Sequence, residues 1–257
     1  MTGSTPAAAV QSVAAVSDAG PRRSARSSTG ITAAALALHS SRGVVYGPVD
    51  LEVGTGELAV VQGPQGAGRS SLLLTLAGRM VPDSGSELTV LGHRLPRERR
   101  AVQRRAAIAG FSGIDDLEES VTVRAMVRER LSWLTPWYRL TPRVTPELFA
   151  GTAADVYGAR PLPRLDTTIW DLDEVDVMLL RITVAMLQRP DLLVVDDVDQ
   201  VHDTQRRQFL WSRLEAIAGD VTVIATVASL DEVTRMTWRT QPRQISLATG
   251  PHALSAA

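Results

Sequence analysis

The chain has 257 residues, 44% of them hydrophobic, a formal net charge of −1, no cysteine, and 27 cationic side chains that are all arginine. That apolar content suffices for a sizeable core in one large domain or two small ones, and the absence of cysteine excludes a disulfide framework. The near-neutral balance gives no electrostatic case for nucleic acid or an anionic membrane as the main partner, so no nucleic-acid partner is expected.

Residues 1–30 are mostly Ala, Ser, Thr, Gly and Arg with little periodicity and read as a disordered tail. Arg22, Arg23 and Arg26 follow its apolar part, the reverse of a secretory signal. From Ile31 to Val53 short apolar stretches, VVY and VDLEV among them, read as strands, and ELAVVQ (57–62) reads as a buried strand. Leu72, Leu73, Leu76 and Ala77 then recur at helical spacing. SELTVLGHRLP resembles one short strand with a turn, and RERRAVQRRAAIAGF joins a basic solvated segment to a strand.

Between about Thr122 and Trp170 the character changes: VRAMVRERLSWL is helical and a proline-bearing stretch, TPWYRLTPRVTPELF, follows. An inserted helical subdomain over approximately 118–185 is expected. Val175, Met178, Leu179, Ile182 and Met186 keep helical spacing until Pro190, LLVV is an apolar strand running into Asp196 and Asp197, and a helix carrying Phe209, Leu210 and Leu214 leads to the strand VTVIATV. Strands alternating with helices predict a mainly parallel sheet with helices on both faces. No apolar run reaches the roughly eighteen residues that span a bilayer, so a membrane role is expected to come through another subunit.

GPQGAGRSS is the most informative segment: Gly63, Pro64, Gln65, Gly66, Ala67, Gly68, Arg69, Ser70 and Ser71 lie between a strand and a helix. That context is the one a phosphate-cradling loop requires. The glycines let the backbone turn tightly and aim N–H groups inward, the helix start adds positive potential, Ser70 would offer a hydroxyl to magnesium, and Ser71 a further contact. Arg69 stands where such loops carry lysine, and a planar guanidinium does not thread between phosphates as an ammonium does, so altered chemistry is expected. A glycine-rich turn that binds nothing is the plainer alternative.

From about Thr32 to Ala248 the chain resembles the nucleotide-binding subunit of ATP-binding cassette (ABC) transporters. The residues that carry the resemblance are VDLEVGTGE, GPQGAGRSSLLLTLAG, the spacing to SVTV, AMLQRPDLLVVDDVD and TVIATVASLDEV. It implies an α/β P-loop NTPase fold over 31–250, with a mainly parallel sheet and flanking helices, an antiparallel β subdomain and the inserted α-helical subdomain, leaving 251–257 as a second tail. It further implies ATP and Mg2+ as cofactors and a second ATP-binding subunit, as homodimer or heterodimer, with the nucleotide sandwiched between. An integral-membrane transporter subunit would be the other partner, placing the chain at the cytoplasmic, inner face of the cell membrane.

By the same resemblance Ser70 and Asp196 would hold the metal, and Asp197 takes the place of the glutamate that polarises the attacking water. Its carboxylate sits one methylene short, and a misplacement of about 1 Å costs roughly a hundredfold in rate. Asp203 matches a loop aspartate, or is simply a polar loop residue. Gly113 replaces the glutamine of the family, Leu172-Asp173-Glu174-Val175-Asp176 replace its Leu-Ser-Gly-Gly-Gln signature, and Ala228 replaces the switch histidine. Three carboxylates in the signature segment suit a helix start but repel a polyanion. The adenine-stacking aromatic would fall near residues 39–41, Tyr46 reads as a strand residue, and Trp133, Trp137, Tyr138, Tyr157 and Trp170 as core or partner contacts. The expected function is an ATP-binding transporter subunit with weak or lost hydrolysis; the alternative is a non-catalytic scaffold of the same fold that docks on a membrane protein.

Overall fold

The computed structural model describes residues 29–247; of the tails expected at 1–30 and 251–257, residues 1–28 and the whole of the second lie outside them. Strands β1 (Thr29–Ser40) and β2 (Gly43–Gly54) form a long antiparallel hairpin, which β4 (Glu87–Val90) and β5 (His93–Leu95) extend into a sheet of order β2-β1-β4-β5. A second, wholly parallel sheet has the order β6-β7-β8-β3-β9 and uses β3 (Leu58–Gln62), β6 (Ala106–Ala109), β7 (Leu192–Val195), β8 (Thr222–Val227) and β9 (Arg243–Ser246). Every residue of β7 and β8 is buried, as expected of strands covered on both faces.

Period-two alternation decides which core each strand residue joins. Val60 faces the core beneath the helical region, while its neighbours Ala59 and Val61 face the opposite core, which is closed by the antiparallel sheet and α1 (Arg69–Leu76). α2 (Arg99–Arg105) also packs on this second side through Val102. The first side is covered by α3 (Val123–Leu134), α4 (Pro146–Tyr157), α5 (Glu174–Met186) and α6 (Thr204–Ile217). α7 (Leu230–Arg235) follows β8.

The helices begin where local chemistry dictates. Thr122, Thr145, Asp173 and Asp203 each accept a backbone N–H from three residues on, capping α3, α4, α5 and α6, and Pro146 takes the first position of α4 where its missing N–H costs nothing. For Asp203 this is the plain role of a helix cap.

Several expectations are refined. SELTVLGHRLP forms two strands, because Leu91 and Gly92 at positive φ close a tight hairpin. The basic segment before β6 is helical as α2, with Arg104 and Arg105 at its C-terminal end, where cations suit the helix dipole. β1 starts at Thr29, inside the stretch expected as tail. α4 inside the proline-bearing stretch, α7 and β9 were not anticipated from periodicity.

Candidate functional site

The loop between β3 and α1 has the backbone its glycines predict. Gly66 and Gly68 adopt φ of +83° and +78°, a region that side chains disfavour. A Cβ at Gly68 would collide with the Val45 carbonyl oxygen and lie 2.9 Å from Tyr46 Cβ, so only glycine lets the loop pack against β2. Tyr46 is fully buried and its hydroxyl donates to Thr75 Oγ1 at 2.8 Å, tying β2 to α1. The Tyr46 phenol is pushed up to about 12, chiefly by burial.

α1 starts at Arg69 with no side-chain cap and no acid in its first turn, in contrast to the capped starts of α3 to α6. Its first-turn N–H groups, which have no acceptor within the helix, therefore face the loop with an uncompensated positive dipole end.

Asp196 and Asp197 follow β7 beside this loop system. Asp196 is buried and its Oδ1 accepts from Thr226 Oγ1 at 2.6 Å, while the same hydroxyl oxygen accepts from the Asp197 N–H at 2.7 Å. Thr226 thus orients both acids, a role invisible to motif reading. The signal available was the parallel register: Val195 pairs with Ala225, which sets the next residues, 196 and 226, side by side. Asp197 is held at φ +51°, a left-handed conformation that aspartate tolerates better than most residues. Burial pushes its carboxyl up, Arg69 pulls it down, and Asp199 and Asp196 push it up again.

Arg69 does not point freely into the loop. Its Nη1 is buried, has no hydrogen-bond partner, and lies 3.8 Å from Asp199 Oδ2. Asp199 Oδ2 also accepts the Ala228 N–H at 2.5 Å. The position where an imidazole was expected is therefore an alanine whose backbone is capped by Asp199, a residue the sequence reading did not single out. Gln200 joins the same cluster, donating to the Gly110 carbonyl at 2.9 Å and accepting from Arg181 Nη1 at 3.1 Å. Arg181 in turn binds Asp116 at 2.6 Å, which links α5 to the loop after β6. Gly113 lies in that loop at φ +76° and donates its N–H to Asp116 Oδ2 at 2.6 Å, with no side chain to reach Asp196.

The three carboxylates at the start of α5 are committed internally. Arg160 donates to Asp176 at 2.6 and 2.9 Å and to Asp173 at 2.7 Å, and Glu174 accepts from the N–H groups of His202 and Asp203 at 3.2 and 3.3 Å. The segment is less repulsive to an anion than its formal charge predicts, because Arg160 offsets two of the three acids. It still offers no serine hydroxyl or glycine amides. Trp133, Trp137, Tyr138 and Trp170 are exposed, whereas Tyr157 is buried in the core.

No cluster of three or more His, Cys, Asp or Glu side chains able to hold a metal exists among the described residues. A magnesium ion shared with a nucleotide does not need one. Asp196 Oδ2 makes no hydrogen bond among the described residues, and hard oxygen donors, one carboxylate and one hydroxyl plus phosphate oxygens, are the set such an ion takes.

Comparison with known proteins agrees with this geometry. The family model described as ABC transporter matches residues 46–200, more than half of the chain. The Nod factor export ATP-binding protein I of Cupriavidus pinatubonensis is 29% identical over 194 residues, covering 75% of this chain and 57% of that protein. Its counterpart from Mesorhizobium japonicum is 28% identical over 194 residues, with 75% and 54% covered. The chain thus spans little more than half the length of the curated relatives it matches. Among solved structures, cbiO1 from Clostridium perfringens, part of the ABC transporter complex cbiONQ, superposes with a TM-score of 0.66 at 15% identity over 85% of this chain and 84% of that one, a likeness of fold. A strand, an open glycine loop and an uncapped helix set beside a strand-end aspartate, matched by the family model across that whole region, show that the chain belongs to the ABC transporter family.

Proposed function

We propose that the chain is the nucleotide-binding subunit of an ABC transporter that binds ATP with magnesium and hydrolyses it slowly or not at all. The observation that carries this reading is the unequal survival of the site. Gly63 to Ser71 keep the cradle backbone, and Ser70 with Asp196 keep the metal donors, whereas Arg69 is drawn to Asp199 and Asp197 is a shortened acid. Phosphate would be bound by the loop N–H groups and the open end of α1. Magnesium, when bound, would neutralise phosphate charge and orient the terminal phosphoryl group. Asp197 would orient water only from a retracted position, and its upward-shifted carboxyl makes it a poorer electrostatic partner.

The partners proposed are a second ATP-binding subunit and a separate integral-membrane subunit, which places the chain at the cytoplasmic face. No helix among the described residues is long and apolar enough to cross a membrane. A cavity of about 370 Å³ between the loop after β6, α3 and α5 supports docking, being lined by apolar Ile114, Leu117 and Trp133 and by charges of both signs, three arginines and four acids. Burial pushes both the Arg79 and the Arg130 guanidinium down; the charge of Arg79 adds to the effect on Arg130, while the Asp115 carboxylate opposes it at Arg79. The domain organisation proposed is one ATP-binding domain from residue 31 to 250 with the helical subdomain over approximately 118–185.

Titration of the purified chain with a fluorescent ATP analogue and magnesium, beside a phosphate-release assay, tests the reading. Binding with little or no release is expected. Absence of binding would favour the scaffold alternative, and brisk release would show that Arg69 and Asp197 suffice for catalysis.

A further inference from the structure

The loop that joins α3 to α4 carries a concentration of exposed apolar and aromatic side chains that lie outside both cores. Trp137 and Leu140 are 95% and 96% exposed, Tyr138 is 67% exposed, and Trp133 on the last turns of α3 is 73% exposed. Unsupported exposure of this kind is costly in water and marks a surface that meets something. The charge is one-sided as well. From Arg130 to Pro146 the chain holds Arg130, Arg139 and Arg143 and not one acid, although the whole molecule is nearly neutral. Arg139 and Arg143 are exposed, and neither pairs with a carboxylate among the described residues. Arg139 instead lies over the Tyr138 ring, 5.9 Å from its centroid, and that ring meets Trp137 edge-on at 5.9 Å.

The presentation is built rather than loose. Thr135 Oγ1 donates to the Leu131 carbonyl at 2.6 Å, the Arg139 N–H donates to the Pro136 carbonyl at 2.9 Å, and Arg124 Nη1 donates to the Val144 carbonyl at 2.6 Å. Val144 is itself buried, so the segment is pinned at its far end while Pro136 and Pro142 stiffen its course. A pinned tip that offers Trp, Tyr and Leu together with arginine, and no acid, has the composition of a membrane–water interface anchor: aromatic rings settle at headgroup depth, aliphatic groups go just below, and cations meet anionic headgroups.

We infer that the tip formed by Trp137, Tyr138, Arg139, Leu140 and Arg143 contacts an anionic lipid surface directly. This rests on the proposed membrane-docked subunit only for its physiological setting; the lipid contact belongs to this chain alone and is measured without any partner. A single loop gives shallow, reversible binding, suited to orienting a subunit that a protein partner also holds.

The experiment uses the full chain, sedimented with phosphatidylcholine vesicles with and without phosphatidylglycerol, together with iodide quenching of tryptophan fluorescence. Binding is expected only to the anionic vesicles, with protection of tryptophan from iodide. W137S/L140S and R139Q/R143Q should each weaken it by about thirty-fold or more, given the expected contribution of each buried apolar group and each cation at an anionic surface. Binding of the ATP analogue, measured on the same samples, should be unchanged and separates failure of this inference from failure of the nucleotide reading. The inference is overturned if neither vesicle is bound. It is equally overturned if binding survives both loop variants but is lost in R22Q/R23Q/R26Q, which would assign it to the N-terminal arginines. Loss of co-purification with a membrane protein in the loop variants, with no effect on vesicles, would make the tip a protein contact and overturn it too.

Discussion

Arg69 Nη1 lies 3.8 Å from Asp199 Oδ2, joining the first residue of α1 to the loop after β7 across the mouth of the phosphate cradle. A cation that would otherwise meet a phosphate is shared with a carboxylate of its own chain. Asp199 is also held by the Ala228 N–H, which fixes the carboxylate that Arg69 approaches. Nucleotide binding must compete with this arrangement, whereas a lysine ammonium would reach the phosphates from within the loop.

R69K should therefore tighten binding of the ATP analogue by about ten-fold or more, since a charge-assisted hydrogen bond contributes roughly 1.5–3 kcal/mol. D197E added to it should raise phosphate release by up to about a hundredfold, by restoring the missing methylene. Tighter binding with no release from the double variant would assign the remaining deficit to Gly113 and the altered segment at the start of α5.

Two glycines of the same loop should respond differently. G68A places a Cβ against the Val45 carbonyl oxygen in addition to imposing a left-handed conformation on alanine, and is expected to lower the thermal midpoint strongly and abolish nucleotide binding. At Gly66 a Cβ would have no neighbour within 4 Å, so G66A should cost only the backbone strain of about 1–2 kcal/mol. Thermal unfolding of both variants, with equal losses, would refute the close approach of β2 to the loop.

Alkaline stability should fall as Tyr46 ionises. Its folded-state value of about 12 lies above the ordinary 10.0, so the folded state holds the proton more tightly, and the resulting stability is complete below pH 10 and lost as pH rises towards 12. Tyr157 is pushed in the same direction by burial and adds to the effect. Two units correspond to about 2–3 kcal/mol. Urea unfolding of Y46F across that range should show a shallower fall, after an initial cost of about 1 kcal/mol for the lost bond to Thr75.

Arg160 should matter more than its position on a connecting loop implies. R160Q leaves Asp173 and Asp176 facing each other at the start of α5 without their shared cation, and an expected loss of about 1–3 kcal/mol would appear as a lower urea midpoint with an unchanged slope. Addition of salt should recover part of the loss by screening the two carboxylates.

The sequence by itself determined the loop, its flanking strand and helix, the apolar strands that run into Asp196 and out of VTVIATV, and hence the parallel layered architecture. Each of these is a local pattern: glycine spacing, a 3.6-residue period, or an unbroken apolar run bounded by turn residues. Through the family resemblance it also pointed to Gly113 and Ala228, which have no side chain able to replace an amide or an imidazole. Only the tertiary structure decided where the retained charges point. Arg69 reaches Asp199 across an interval of 130 residues, Arg160 on a loop offsets acids at the start of α5, and Thr226 orients Asp196 and Asp197 from the neighbouring strand. Exposure of Trp137 and Leu140, against burial of Tyr157, was likewise undecided by composition, because aromatic residues serve both interiors and interfaces. Local order follows from steric and hydrogen-bonding preferences within a few residues, but the partner of a charge or a ring is chosen by packing between segments distant in the chain.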